Sequence, residues 1–415
     1  MIAKKHISIF LFILVLLCEL YLPSYKINYA IQLLLLIGIV FNTKAIISKR
    51  FLKTISPLFF IFLIGFLGYF INFYSLTATI KDITYFSKQI IGILLSYLLF
   101  KQVNDLILYL KTIFFVGSLT AFIHLFGIFV FGDFTSNSIH DIRSDNGLDN
   151  FIEIFAFYIL LFSKKHINKD IIDKKWIKIV VLVLLLFSIY LYYSRTMLVV
   201  FFLIGFSIVG YAKITRKTIL YIGVLLIFIS LLYAYLFSIN LDRNAKGIES
   251  FLYKIKIAPE EIFNTKIDME NHKNLWDHWR GYEVKRALSL MKESPSSFFI
   301  GTGFGSLVNL KFKAPLGDGG MKYISRLHNG YAFVLYKTGF FGLLFIIIFL
   351  INLYIKIYRD NKIISKQVYL NKLISSIGLF YLFTTLIITG IYIPKDAIIF
   401  LLGGILSVQD NLKIT

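Results

Sequence analysis

The sequence predicts an all-α polytopic membrane protein with about twelve transmembrane helices and one large extracytoplasmic loop containing helices. Three observations predict it. Hydrophobic residues make up 58% of the 415 and charged residues only 16%, whereas soluble globular chains carry roughly 25% charged and about 45–50% apolar residues. Apolar runs approaching the ~20 residues that a helix needs to cross the hydrocarbon core recur along the chain. Between those runs the Lys and Arg residues alternate in density from one connection to the next, as the positive-inside rule requires.

The first run, 7–23, has no small-residue cleavage site after it and reads as a retained anchor, not a removed signal peptide. It is followed by runs at 28–43, 57–74, 84–100, 109–131, 148–163, 177–193, 197–212 and 218–238, and then by 330–354, 373–392 and 396–409. With Lys4 and Lys5 in the cytoplasm, the inner connections hold 23 basic residues. The outer ones, the long loop aside, hold six: Lys26, Lys81, Lys88, Arg143, Arg195 and Lys395. That bias orients the chain with both termini cytoplasmic. It also accounts for the net charge of +21 without a nucleic-acid partner. Cys18 is the only cysteine, which excludes an internal disulfide and a cysteine-built soft-metal site. Bulky Leu16 and Leu17 before it argue against a lipoprotein acceptor.

Three regions are therefore expected: 1–238 with transmembrane helices one to nine, 239–329 as an extracytoplasmic loop subdomain, and 330–415 with the last three helices. The loop holds 14 Lys and Arg, 10 Asp and Glu, and two of the three tryptophans. Connections beyond about 12–15 residues are usually functional or disordered. The tryptophans and several amphipathic patches favour an ordered subdomain.

Within the loop, Trp276, Trp279, Glu283, Ala287 and Leu290 recur at helical spacing, and Ser294-Pro295 stops the run. Arg280 and Arg286 on that helix suit bidentate phosphate contact; an interfacial helix with snorkelling arginines fits the same pattern. Phe299-Ile300-Gly301-Thr302-Gly303-Phe304-Gly305 has neither a Walker lysine nor a βαβ context. It reads as a tight turn that brings backbone close to the membrane surface, not as a nucleotide loop. The loop ends Ser325-Arg326-Leu327-His328-Asn329-Gly330-Tyr331 at the start of the tenth span. Histidine can act there as a general base near neutral pH, or as a capping or interfacial residue.

Tyr193-Ser194-Arg195-Thr196 forms a very short outer turn that puts an arginine at the outer interface, either functional or snorkelling to headgroups. Lys88, Glu153 and Lys337 fall inside or near spans, Lys337 deepest, and either pair with one another or line a cavity. The outer segment from His140 to Asp149 is polar enough to contact a sugar and equally fits a solvated turn. Asp268-Met269-Glu270 is the nearest match to a metal-binding carboxylate pair, in a stretch that is simply charged, so neither metal nor cofactor is expected. Arg195, Arg280 and His328 are all predicted at one membrane face. Two arginines suit a diphosphate and a histidine suits hydroxyl activation. Outside the cell no soluble nucleotide donor exists, so the activated donor would be carried by a lipid.

At these residues the chain resembles the bacterial O-antigen polymerase and O-antigen ligase superfamily of membrane glycosyltransferases. The resemblance covers the topology and three local motifs. They are Ser194-Arg195 before a span; Arg280 in Trp-Arg-Gly-Tyr-Glu, followed by Ser-Pro and Gly-x-Gly-Phe-Gly; and His328-Asn329 entering a span that continues to Gly339-Phe340-Phe341-Gly342. It implies a GT-C-like fold and metal-independent, inverting transfer of glycan from undecaprenyl diphosphate in the bacterial inner membrane. Arg195 and Arg280 would hold the donor diphosphate, and His328 would deprotonate or orient the acceptor hydroxyl. Arg143, Arg286, Arg326, Asn329 and Lys88 are further candidate substrate contacts.

The expected partners are the undecaprenyl-diphosphate-linked oligosaccharide, membrane lipid and a chain-length regulator protein, with no nucleic acid. The Trp-Arg-Gly-Tyr-Glu segment and the polar outer stretch at 132–149 resemble polymerases more than ligases, which transfer the finished glycan to lipid A–core. A lipid-linked oligosaccharide flippase is the reading from another class. A carrier places its ionisable and broken-helix features near the bilayer midplane, whereas most of the candidate residues here are predicted at the outer face.

Overall fold

The computed structural model describes residues 2–42, 46–132, 149–243, 248–264, 266–268, 272–316, 319–359 and 365–412. The chain opens with α1 (Ile2–Tyr21), α2 (Tyr25–Asn42), α3 (Lys49–Asn72), α4 (Leu76–Val103) and α5 (Leu106–Phe131). It continues with α6 (Ile152–Ile167), α7 (Lys175–Leu191), α8 (Arg195–Val209) and α9 (Arg216–Ser238). The loop carries α10 (Ile248–Lys256), α11 (Ala258–Phe263), α12 (His272–Asp277), α13 (Trp279–Glu293), α14 (Ser297–Ile300) and the strands β1 (Val308–Ala314) and β2 (Met321–Ile324). Then come α15 (Gly330–Tyr354) with a short 3-10 turn Ile355–Tyr358, α16 (Ser365–Ile387), a second 3-10 turn Gly390–Tyr392, and α17 (Ile398–Asn411).

Every apolar run of the sequence thus coincides with a helix. Among the described residues, α2, α3, α4, α5, α9, α15 and α16 are long and apolar enough to cross a membrane, and α8 and α17 are shorter apolar helices. The protein is an all-α polytopic membrane protein. The loop adds a β1–β2 hairpin to its helices. It pairs antiparallel, Val308 with Ile324 and Asn309 with Tyr323, and a bulge before Ala314 holds Lys311 at φ 66°.

Local chemistry sets the helix ends. Side-chain oxygens of Ser48, Asp105, Ser194, Thr215 and Asn329 accept first-turn N–H groups of α3, α5, α8, α9 and α15. Phe73, Asn104, Asn168 and Gly210 close α3, α4, α6 and α8 in left-handed conformation. Pro57 inside α3 has no N–H for the Lys53 carbonyl, and the Ser56 hydroxyl donates to that carbonyl at 3.2 Å.

Two compact units emerge. The first comprises residues 1–104, 261–355 and 377–415, and the second 105–260 and 356–376. In the first, α4 is the axis, packed by α17, α1, α2 and α3, while α3 packs on α15. Close approach needs small residues, since lipid tails supply no hydrophobic drive between helices. At Gly403 of α17 a methyl group would sit 2.2 Å from the Ile93 carbonyl oxygen of α4. In the second unit α5 packs on α6 and α7, and α6 on α7 and α8, with Gly117 of α5 against Ala156 of α6. α9 buries only Thr218 and Leu236 and leaves Leu225, Phe228 and Leu231 exposed, as suits a lipid-facing helix.

Candidate functional site

The site in the first unit is built on α13. The expected helix from Trp276 is interrupted at His278, so α13 starts at Trp279, and it ends at Glu293 before the Ser-Pro stop. Its buried face carries Trp279, Tyr282, Glu283, Arg286, Ala287 and Met291. The hairpin lies against that helix. Tyr282 donates its hydroxyl to the Leu310 carbonyl and Arg286 donates Nε to the Asn309 carbonyl at 3.0 Å, both on β1. Burial pushes the Tyr282 phenol above its ordinary pKa, so it stays a hydrogen-bond donor. Arg286 is itself buried and ties α13 to the hairpin.

Glu283 is the residue that the sequence reading passed over as a ligand. Its carboxylate is 2% exposed and accepts the His328 backbone N–H at 2.8 Å. It also accepts from His328 Nδ1, at 3.1 Å to Oε1 and 3.0 Å to Oε2. A carboxylate only accepts, so Nδ1 is the donor, and in a neutral imidazole held this way the lone pair is on Nε2. The imidazole is 49% exposed, and its Nε2 has no partner among the described residues. A buried carboxylate orienting one face of an accessible imidazole is the arrangement that general-base chemistry needs.

The backbone under His328 is equally fixed. Asn329 caps α15 through Oδ1, accepting the Ala332 N–H at 3.0 Å. The Gly330 N–H donates to the Ile388 carbonyl at 3.2 Å. Just inside α15, Lys337 pairs with Asp82 of α4 at 2.5 Å, both fully buried, and donates also to the Ser306 carbonyl. Gly305 N–H reaches the same Asp82 carboxylate at 2.7 Å.

The glycine turn makes a close backbone approach, to helices α3 and α15. Gly339 breaks α15 at φ 66°, ψ −166°. The carbonyls of Tyr336 and Lys337, in the turn before that break, accept from Thr302 N–H at 2.8 Å and Gly303 N–H at 3.0 Å. Phe304 N–H reaches the Gly65 carbonyl of α3 at 2.9 Å. Backbone groups freed by a broken helix must find protein partners where water is excluded, and this turn supplies them.

The other basic candidates divide by what they touch. Arg280 donates Nη1 to Glu261 at 2.7 Å, and its Nε is buried without a hydrogen-bond partner among the described residues. Arg326 stacks over the Tyr85 ring of α4, 5.6 Å from the centroid. Lys88 is buried, its ammonium shared between Glu19 at 2.5 Å and the Pro394 carbonyl. Glu19 also accepts from Asn28 and Gln32, at 2.6 and 2.7 Å, so Lys88 serves an internal polar network.

In the second unit, Arg195 opens α8 directly after its Ser194 cap, whose hydroxyl donates to Asp149 at 2.6 Å. Arg195 Nη1 donates to the Lys254 carbonyl. A cation in a first turn opposes the helix dipole, so helix stability does not explain an arginine there. Glu153 is fully buried and accepts from Ser188 at 2.6 Å and Tyr192 at 2.9 Å, neutral partners in place of the charged one considered from sequence. Arg143, most of the polar segment 140–149, and Met269-Glu270 lie outside the described residues.

Residues 180–347 match the family model described as O-Antigen ligase. That stretch begins in α7 and ends inside α15, so it contains Arg195, Arg280, Glu283, Arg326, His328 and Asn329. No curated protein matches the chain.

Proposed function

We propose that this chain, which belongs to the O-antigen ligase and polymerase superfamily of glycosyltransferase-like membrane enzymes, is a surface-polysaccharide polymerase. It transfers the growing glycan from undecaprenyl diphosphate onto a lipid-linked repeat unit, with a GT-C-like architecture, at the periplasmic face of the bacterial inner membrane and with both termini cytoplasmic. The observation that carries the transferase part of this reading is the buried Glu283 carboxylate holding Nδ1 of an accessible His328; the choice of polymerase rests on the resemblance of the Trp-Arg-Gly-Tyr-Glu segment and the outer stretch 132–149 to polymerases.

In the proposed step the acceptor hydroxyl oxygen attacks the donor's anomeric carbon while its proton passes to His328 Nε2. The bond from that carbon to the diphosphate oxygen breaks, and the diphosphate leaves with the electron pair. One displacement inverts the anomeric configuration. Arg280 contributes positive charge toward the departing diphosphate, an electrostatic task suited to guanidinium. The Arg195 role implied by the family resemblance is tested by its own variant, with Arg195→Gln expected to lose activity.

A ligase shares this chemistry and differs in acceptor, and the description of the matching family model favours it as the second reading. A surface glycolipid gel from a gene-deleted strain, beside a complemented one, separates them. Core carrying one repeat unit marks a missing polymerase. Bare core, with long chains left on undecaprenyl diphosphate, marks a missing ligase. Complementation with His328→Ala is expected to yield no product at normal protein level and membrane insertion; wild-type chain length there sinks the general-base assignment.

A further inference from the structure

The β1–β2 hairpin has a covered side and an open one. Val308, Leu310, Ala314 and Ile324 are buried, and Tyr282 and Arg286 of α13 donate to the Leu310 and Asn309 carbonyls. The open side carries Lys311 and Lys313 of β1, both exposed, and Tyr323 of β2, which pairs across to Asn309. Tyr323 is 50% exposed. Lys322, also exposed, holds its ammonium 6.0 Å from the centre of that ring. Among the described residues none of these three lysines has a carboxylate partner. From Leu307 to Leu327 the chain has one acid, Asp318, against Lys311, Lys313, Lys322 and Arg326.

Those residues suit one kind of ligand. An ammonium group donates and never accepts, so a group of lysines reads negative charge. The hydroxyls of a neutral sugar call for acceptors as well as donors. A half-exposed tyrosine offers an apolar ring face and a polar tip, against which the C–H face of a sugar ring packs. Protection of a strand edge accounts for the lysines but leaves the exposed ring without a use.

Place decides which anion. Between Tyr282 and Arg286, the two α13 residues that hold the hairpin, stands Glu283, which holds His328. One helix thus fixes both the open face and the base. Tyr323 is five residues before His328, and five residues of extended chain span at most about 18 Å. A glycan reacting at His328 has its next sugars within reach of that face. We propose that Lys311, Lys313, Lys322 and Tyr323 form the docking face for the glycan substrate, and that its repeat unit is anionic, bearing a carboxylate or a phosphate. This names the substrate class of the transferase reading above and rests on it. The face holds sugars that are not reacting, so it acts on substrate affinity and not on the bond-breaking step.

The test uses polysaccharide released from the source strain, intact and after its carboxylates have been reduced or its phosphates removed, with the purified full-length chain in phosphatidylcholine nanodiscs. Sugar analysis of the intact material is expected to find an acidic sugar or a phosphate in each repeat unit; a wholly neutral repeat unit overturns the proposal. Wild type is expected to bind the intact polysaccharide at least tenfold more tightly than the neutralised one. Lys311→Gln with Lys313→Gln and Lys322→Gln should abolish that difference, and Tyr323→Ser should weaken binding of both forms. Lys266→Gln with Lys285→Gln and Lys292→Gln removes the same charge from exposed loop positions off the hairpin and should bind like wild type. Equal losses in the two triple variants mean that net charge holds the polymer, and the face falls. It falls also if wild type binds neither form. If the hairpin lysines instead decide how much phosphatidylglycerol co-purifies with the chain, and not the polysaccharide contrast, they belong to headgroups and the proposal is overturned. The glycolipid gel of the complemented strain separates this from the transferase reading. Wild-type polymer from the hairpin variant, with none from His328→Ala, overturns the face alone; wild-type polymer from both overturns the reading beneath it.

Discussion

His328 gives its two ring nitrogens different work: Nδ1 is committed to Glu283 and Nε2 faces outward. Glu283→Gln keeps the shape of the side chain but lets an amide donate where a carboxylate only accepted. We expect turnover to fall by about 10²–10⁴-fold, the usual span of a lost general base, with KM little changed and Glu283→Asp recovering part of the loss. Unchanged turnover would remove Glu283 from the machinery. Arg280→Lys is expected to be severely impaired, because a point charge cannot reproduce the guanidinium fork; near-normal activity would make Arg280 an anchor. His328 was legible because it stands where a polar loop meets an apolar run. Glu283 was legible only as one member of an amphipathic stripe. A carboxylate on the buried face of a helix signals a partner, but that partner lies 45 residues away in sequence, and spacing does not show which residue it is.

The glycine turn and the α4–α15 ion pair give predictions about elements. Gly303 is at φ 85°, and a methyl group there would stand 2.4 Å from the Gly68 carbonyl carbon. Gly303→Ala should lower the thermal transition in detergent, with about 1–3 kcal/mol from backbone strain alone and more from the collision. Gly223→Ala, with open space around it, is the control expected to melt like wild type; equal melting of both variants would refute a packed turn. Asp82→Ala strands a buried ammonium and should cost about 3–5 kcal/mol, whereas Asp82→Leu with Lys337→Met should regain most of it. A double variant as unstable as the single one would mean that the pair is not the unit. The hairpin shows how a strong prior hides a plain signal. Val308-Asn-Leu-Lys-Phe-Lys-Ala314 alternates apolar and polar residues at every step, which is the strand period, inside a loop read for helices.

For the whole molecule, the apolar runs were legible because hydrocarbon demands length and hydropathy that nothing else in a sequence imitates. The division into two units was not legible, because it depends on which distant helices meet. The proposed orientation has a direct test, since Cys18 is the only thiol. In a Cys18→Ser background, Lys285→Cys should react with a membrane-impermeant maleimide in intact cells and Lys169→Cys only after the inner membrane is opened. The reverse pattern would invert the topology and with it the periplasmic site. The pairing of α4 with α17 also sets a timetable for synthesis. Tyr97 and Lys101 of α4 bond to Asp410 and Asn411 of α17 at 3.0 and 2.7 Å, across about 300 residues of chain. At roughly 5–20 residues per second that gap lasts about 15–60 s, during which α4 waits in the bilayer with Ser96 and the Ile93 carbonyl uncovered. A chain stopped before Ile398 never ends that wait, and quality-control proteolysis rather than inactivity should be its fate.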